Sequence, residues 1–337
     1  MLKKLIALVL LLGVLIGGYI GWRLLMAPNI TAKRVTVKIP TGSSYEDVLE
    51  ILYNNNVVKD HWGFETVAKF KDYGKKINSG NYVFTQNMNN RQIVNMLKFG
   101  WQTPVKLVVY NIRTKEEFAG LVGRTLEIDS TKMLAQLNDP AFAKEYGLDT
   151  NKILSRFIVD NYEFYWNVSM EKFLEKMKGA YESYWNESRR AKADALNMSI
   201  ADVTTLASIT EKEVIFDKEL PTVAGVYLNR IKIGMPLQAD PTLVFGTRDF
   251  DAKRVTNVHK DFDSPYNTYK YAGLPPGQIC MPRKKSIDAV LNHEEHQYVY
   301  FCANPDMSGY SIFSKTYEEQ MRVAAQYRKK MDKMNIH

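Results

Sequence analysis

Two glutamates, Glu211 and Glu213 in the stretch IADVTTLASITEKEVIF (200–216), have the side-chain type and spacing for acid–base chemistry. The stretch reads as a helix whose apolar positions are Val203, Leu206, Ala207, Ile209, Val214 and Phe216. On a helix, Glu211 lies above Ala207 and Val203 and below Val214, along an apolar stripe. A carboxylic acid in apolar surroundings keeps its proton to higher pH. The general acid of a glycosidic cleavage needs such a proton. Glu213 lies above Ile209 and Leu206, so periodicity gives it nearly the same environment. Spacing does not rank the two. The competing reading has one or both glutamates solvated, or ion-paired with Lys212, Lys218 or Arg230, because ion-pair networks also perturb acids.

Other constellations carry less chemistry. Asp240 and Asp217 are candidates for a second carboxylate. No histidine pairs with a cysteine or serine in a recognisable nucleophile arrangement. His259, His293 and His296 are not spaced as zinc ligands, and Glu294 and Glu295 between the last two do not make the HExxH pattern. No metal, nucleotide or other cofactor is expected. The two cysteines, Cys280 and Cys302, could pair in an oxidising compartment but do not form a disulfide framework.

The elements that must position these residues begin with an anchor. Residues 5–22, LIALVLLLGVLIGGYIGW, carry no charge and lie between Lys3 and Lys4 on one side and Arg23 on the other. About 20 residues span a bilayer as a helix. The apolar part of a cleaved secretory signal is usually ~7–15 residues and ends at a small-residue site, which LLMAPN is not. A retained single-pass helix is therefore expected, with the leading lysines in the cytoplasm and everything after residue 26 outside it. Roughly 310 residues remain, room for two domains. At 45% hydrophobic and 12% aromatic residues, the chain is not a disordered one. The net charge of +8 is spread along the chain apart from clusters such as Arg283, Lys284, Lys285 and Arg328, Lys329, Lys330. Clusters of three fall short of the about 4–8 basic residues of a lipid-binding patch, so they read as solvated surface rather than a site for anionic lipid or wall polymer. Nucleic acid does not suit an exported chain.

Beyond the anchor, RVTVKI (34–39) alternates as a half-buried strand does. PTGSS supplies a turn and an N-cap for a helix over 45–53, and a second helix is expected around 61–71. GNYVF (80–84) reads as a strand and NNRQIVNMLKFG as a capped helix ended by Gly100. Together these make an α+β module of binding-domain size. PVKLVVYN opens a second region, with helices expected at 114–125, 130–146 and, long and polar, 170–196. Between 200 and 282, polar residues, Gly and Pro interrupt nearly every apolar segment, the composition of functional loops. The chain closes on a strand (298–303), the turn PDMSGY, a short strand SIF and a charged helix from Thr316 to about Met334.

Four stretches in order, ASITEKEV (207–214), VYLNRIKIGMPLQADPTLVFG (226–246), SPYNTYKYAGLPPGQICMP (264–282) and YVYFCANPDMSGYSIFSKTYEEQ (298–320), resemble the endolytic murein transglycosylases of the MltG (YceG-like) family. The resemblance covers almost the whole chain, because an anchor and a LysM-like module belong to that family's layout. It implies an α+β fold: a cytoplasmic tip and transmembrane helix over 1–26, a small LysM-like α+β module over 34–102, and a larger mixed α/β catalytic domain over 103–337. It implies that Glu211, first of the EKE triplet, is catalytic, with Glu213 supporting it. Gln238, Asp240, Tyr266, Asn267, Thr268 and Tyr269 would line the glycan cleft, with Asn229 and Arg230 in support. Each has a local use too: YNTY can fix a turn, LQADPT can cap a short helix and GLPPG can shape a loop. The chain departs from the family pattern where FIVDNYEF (157–164) brings Val159 and Asn161, and at Ser311 and Gln320, where many members have histidine. The roles of those four sites stay open.

The implied reaction cleaves the bond between N-acetylmuramic acid and N-acetylglucosamine within a peptidoglycan strand, leaving a 1,6-anhydro end. One carboxylate can serve first as acid and then as base, whereas ordinary glycosidases use two. The rivals are a hydrolytic muramidase and a non-catalytic wall-binding scaffold. The resemblance also implies an enzyme of the cytoplasmic (inner) membrane that limits the length of nascent glycan strands, with synthesis machinery as its partners.

Overall fold

A computed structural model of the chain describes residues 2–252 and 254–333. The packing divides into two units. The first runs to Leu107 and takes in Val122–Asp129 and Glu163–Met170; the second holds the remainder.

The first unit opens on α1 (Leu2–Leu25), an apolar helix long enough to cross a membrane and with none of its residues buried. Its last turn is tied down. Arg23 reaches Asp60 through Nε at 2.9 Å and Nη2 at 3.0 Å, and Asn90 Nδ2 donates to the Leu24 carbonyl at 3.2 Å. Strand β1 (Arg34–Ile39) is followed by α2 (Tyr45–Asn54) and α3 (His61–Phe70), then β2 (Gly80–Thr85) and α4 (Asn90–Phe99). The two strands are antiparallel, Arg34 opposite Thr85 and Ile39 opposite Gly80. The alternation in RVTVKI does what period 2 demands: Val37 and Ile39 are buried while Arg34, Thr36 and Lys38 are exposed. They join Val48, Leu52, Phe64, Tyr82, Phe84, Ile93 and Leu97 in one core. Reciprocal capping boxes, Ser44 with Asp47 and Asn89 with Gln92, start α2 and α4. Gly100 ends α4 at φ +66, a left-handed turn that glycine adopts without a Cβ penalty.

After α4 come β3 (Val105–Val108), α5 (Lys115–Thr125), α6 (Ser130–Asn138), α7 (Pro140–Glu145), β4 (Asn161–Phe164), α8 (Met170–Tyr184) and α9 (Glu187–Ala195). Two expected helices are each split. The one over 130–146 breaks at Asp139, whose side chain accepts from Ala141 N with Pro140 at the first helical position. The one over 170–196 breaks at Asn186, which caps α9 through Arg189 N. Next are α10 (Ile200–Glu213), α11 (Leu220–Lys232), α12 (Asp240–Thr247), α13 (Asn257–Asp261), α14 (Lys284–Leu291), β5 (Tyr300–Ala303), β6 (Ser311–Ser314) and α15 (Tyr317–Lys333). The end expected near Met334 lies outside the described residues. Among the described residues strands pair in twos, β1 with β2, β3 with β4 and β5 with β6, so helices carry the packing.

Helix α10 is the centre of the second unit. Its residues Val203 to Thr210 are all buried, so it is enclosed on every side rather than striped. The hydroxyls of Thr204, Thr205, Ser208 and Thr210 satisfy themselves on carbonyls three or four residues back. Around it pack Trp185, Val223, Tyr227, Leu237, Ile279, Ile287 and Val290. Emptying such a site, as in Leu206→Ala, typically costs about 2–5 kcal/mol. Close approach is also needed at Gly277 of GLPPG, where a Cβ would come within 2.4 Å of the Asn151 carbonyl oxygen.

Candidate active site

Helix α10 ends at Glu213, and Val214 is already extended at φ −97, ψ 146. The helix expected to reach Phe216 is therefore shorter, and both glutamates sit in its last turn. Glu211 does not lie on an apolar stripe. Its Oε2 accepts from the Arg283 backbone N–H at 2.7 Å and the Ser286 hydroxyl at 2.6 Å, both at the start of α14. Arg283 Nε lies 3.2 Å from Oε1 as an ion pair without hydrogen-bond alignment. The Glu211 side chain is 10% exposed. Arg283 is shared: its Nη2 donates to Asp217 Oδ1 at 2.9 Å, and Lys285 also pairs with Asp217. These contacts hold the Asp217 carboxyl below the usual carboxylate range, the Lys285 hydrogen bond foremost. The basic cluster expected to be solvated is thus engaged throughout, with Lys284 paired to Asp160.

Glu213 meets the environment that periodicity assigned to both residues. Its Oε2 is buried without a hydrogen-bond partner, and the buried Tyr227 hydroxyl approaches it without reaching hydrogen-bond geometry. Burial first, then the charge of Asp240, push the Glu213 carboxyl up to about 7; Tyr227 and the Arg230 guanidinium act in the opposite direction. Glu213 and Asp240 line one cavity of about 430 Å³ together with Arg113, Lys212, Phe245 and Phe250.

The remaining expected residues separate into two kinds. Asp240, at the start of α12, accepts from the Tyr269 hydroxyl at 2.5 Å and is exposed. Gln238 is exposed beside it, in a left-handed conformation at φ +51, its N–H donating to the Thr268 carbonyl at 3.0 Å. Tyr266 packs its ring against Phe245 at 4.7 Å. Asn267 and Thr268, by contrast, are each 1% exposed. Asn267 Nδ2 donates to the carbonyls of Lys260 and Phe262, and its Oδ1 accepts from Tyr269 N and Lys270 N. Thr268 Oγ1 accepts from Ala239 N at 3.0 Å, so YNTY is clamped to LQADPT. Asn229 donates to the carbonyls of His296 and Tyr298, and buried Arg230 to those of Val299 and Leu237. These four hold backbone.

The YceG-like family profile matches residues 37–326. The chain belongs to the YceG-like family. Among its relatives is an endolytic murein transglycosylase of Bacillus subtilis, 27% identical over 309 residues, which covers 87% of this chain and 84% of that protein. An endolytic murein transglycosylase of Streptococcus pneumoniae is 25% identical over 92% of this chain, which spans 62% of that protein's length. A crystal structure of a YceG-like protein from Listeria monocytogenes superposes with a TM-score of 0.59 at 30% identity, over 86% of this chain and 99% of that one.

Within this YceG-like chain, the residues that sequence reasoning missed as site components are Arg283, Ser286 and Tyr227. The signal for the first two was present: Pro282 followed by a basic run and Ser286 reads as a helix start whose free N–H groups attract an acid. Among the departures, the Ser311 backbone N–H donates to Glu219 Oε1 at 2.7 Å, and Gln320 Nε2 donates to the Phe301 carbonyl at 2.9 Å. The first is a backbone bond that does not depend on the serine side chain, and the second gives the Gln320 side chain a structural role away from Glu211. Cys280 and Cys302 are unpaired. Among the described residues no group of His, Cys, Asp and Glu is arranged to hold a metal ion.

Proposed function

We propose that this chain is a membrane-anchored lytic transglycosylase that cuts the MurNAc–GlcNAc bond within peptidoglycan strands, with Glu211 as its acid and then its base. The observation that carries the reading is the orientation of Glu211. Two donors from the start of α14 fix Oε2, whereas among the described residues Oε1 has the unaligned Arg283 ion pair alone, leaving one oxygen for a substrate. Relatives named endolytic murein transglycosylases, aligned over most of the chain, support the reaction class.

Protonated Glu211 gives its proton to the departing GlcNAc oxygen as the bond to the muramic anomeric carbon breaks. The carboxylate then takes the proton of the muramic C6 hydroxyl, whose oxygen attacks the same anomeric carbon and closes the 1,6-anhydro ring. No water is consumed, so the new end is one water lighter than a hydrolysed one. Asp240, Gln238, Tyr266 and Tyr269 are assigned to the glycan, with Glu213 beneath them; Asn267, Thr268, Asn229 and Arg230 act by holding backbone. The 34–102 segment is assigned as a LysM-like glycan-binding module and 103–337 as the catalytic domain. Helix α1 would cross the cytoplasmic membrane with the catalytic domain outside, close to nascent strands whose length the cut would limit and to the synthases that make them.

A second reading gives the proton to Glu213, because its carboxyl titrates near neutrality beside Asp240. The test is digestion of purified sacculi by the full-length protein in detergent, read by mass spectrometry. Anhydro ends that vanish in Glu211→Gln and persist in Glu213→Gln support the proposal. Reducing ends identify a muramidase, and the absence of any product a scaffold.

A further inference from the structure

The cavity beside Glu213 has a rim whose charge the mechanism does not use. Arg113, Lys212 and Arg254 line it, and among the described residues none of the three has a carboxylate within ion-pair distance. Cations elsewhere in the same unit do: Lys152 pairs with Asp202, Arg189 with Asp288, Arg248 with Glu116 and Lys284 with Asp160. Two of the rim cations are held in place by neutral partners instead. The Arg113 guanidinium lies 4.7 Å from the centre of the Phe250 ring, and Lys212 Nζ donates to Asn111 Oδ1 at 2.9 Å. Both are positioned without an ion-pair partner among the described residues. Of the two acids in the cavity, Glu213 holds its proton up to about pH 7, which leaves the charge of Asp240, engaged by Tyr269, against three cations. The volume, about 430 Å³, falls within the range of small-ligand pockets, and Val244, Phe245 and Phe250 offer an apolar wall.

Resting on the peptidoglycan reading, we propose that this rim binds the free carboxylates of the peptides carried on the muramic residues, so that the substrate is a peptide-bearing strand rather than bare glycan. Fixed cations facing an anionic ligand add specificity more than raw affinity, and each carboxylate that bridges two of them forms charge-assisted hydrogen bonds. Arg113 stacked on an aromatic ring suits planar recognition of a carboxylate. The apolar wall would take the methyl groups of alanyl residues.

The experiment compares three strands with full-length protein in detergent: uncross-linked peptide-bearing glycan, the same glycan with its peptide carboxylates amidated, and glycan stripped of peptide by an amidase. Wild-type kcat/KM is expected to fall about tenfold on the amidated and stripped strands. Arg113→Ala/Arg254→Ala should lose a similar factor on the peptide-bearing strand, mainly through KM, and change little on the other two. Equal wild-type rates on all three strands, or an equal loss by the variant on all three, would overturn the proposal. Cosedimentation of Glu211→Gln protein with each strand separates this claim from the reaction itself. A preference for peptide-bearing strands supports the rim even where no anhydro product forms, and no preference overturns it.

Discussion

Glu211 and Glu213 are two residues apart in the same last turn of α10, yet their surroundings are opposite. Glu211 is gripped by the start of α14, with two hydrogen-bond donors and a shared arginine. Glu213 faces a cavity with a buried, unpartnered oxygen and Asp240 as its charged neighbour. Two residues on a helix point roughly 200° apart. Each therefore sees what the rest of the chain brings to its own side. A helix fixes direction; the elements that approach it fix chemistry. The first carboxylate is oriented and the second is desolvated, and the proposed mechanism uses orientation.

That contrast can be broken from either side. After loss of Glu211 itself, the largest effect is expected from Arg283→Ala, which removes the one side-chain cation paired with Glu211 among the described residues and frees Asp217 of one partner. Misplacement of a catalytic group by about 1 Å can cost 10²-fold. We expect kcat on sacculi to fall by roughly that factor with KM little changed; an unchanged kcat would mean that the grip on Glu211 does not serve catalysis.

Glu213→Gln should act on stability. The Glu213 carboxyl titrates at about 7 in the folded chain against an ordinary 4.5, so the folded state binds more protons between these values. The stability tied to the neutral form is complete below pH 4.5 and lost as pH rises through 7. A permanently neutral glutamine should therefore gain on wild type as pH is raised, by at most about 3 kcal/mol. Thermal unfolding followed between about pH 5 and pH 8 reads this directly, and parallel curves for the two proteins would sink it.

Asn267→Ala should give the smallest change in the reaction and a clear one in the fold. It strips partners from the carbonyls of Lys260 and Phe262, at the end of α13, and from the amides of Tyr269 and Lys270, a loss of about 1–3 kcal/mol. Unfolding by denaturant measures that loss. KM for glycan on the folded fraction should stay within about twofold, because stability and binding are separable at a residue with no exposed surface. A larger rise in KM would return Asn267 to the substrate.

Much of the fold is legible in the sequence because local rules fix it. RVTVKI shows its pairing face, Ser44 with Asp47 and Asn89 with Gln92 announce helix starts, and Gly100 announces an end. The two split helices carried their own signals in Asp139–Pro140 and Asn186, which the hydrophobic period across them obscured. The site is less legible because its deciding partners are remote. Arg283 and Ser286 lie 72 and 75 residues from Glu211, and the run that contains Arg283 looks like solvated surface by composition. Asn267 reads as a polar cleft residue and turns inward, because two carbonyls at the end of α13 and two amides that follow it in the chain pair with its side chain. The cavity draws Arg113, Glu213 and Arg254 from three separate stretches, a grouping no local pattern announces.

The central claim is that Glu211 carries the proton. Its most direct test is the turnover of Glu211→Gln against Glu213→Gln on one preparation of sacculi, with anhydro-muropeptides counted by mass spectrometry. The glutamine at 211 can still accept from Arg283 N and Ser286, so the fold should stand. Loss of the general acid and base should lower product by about 10²–10⁴-fold in Glu211→Gln and by no more than about tenfold in Glu213→Gln. Anhydro ends formed at near wild-type rate by Glu211→Gln, with Glu213→Gln inactive, would contradict the account and move the chemistry to the floor of the cavity.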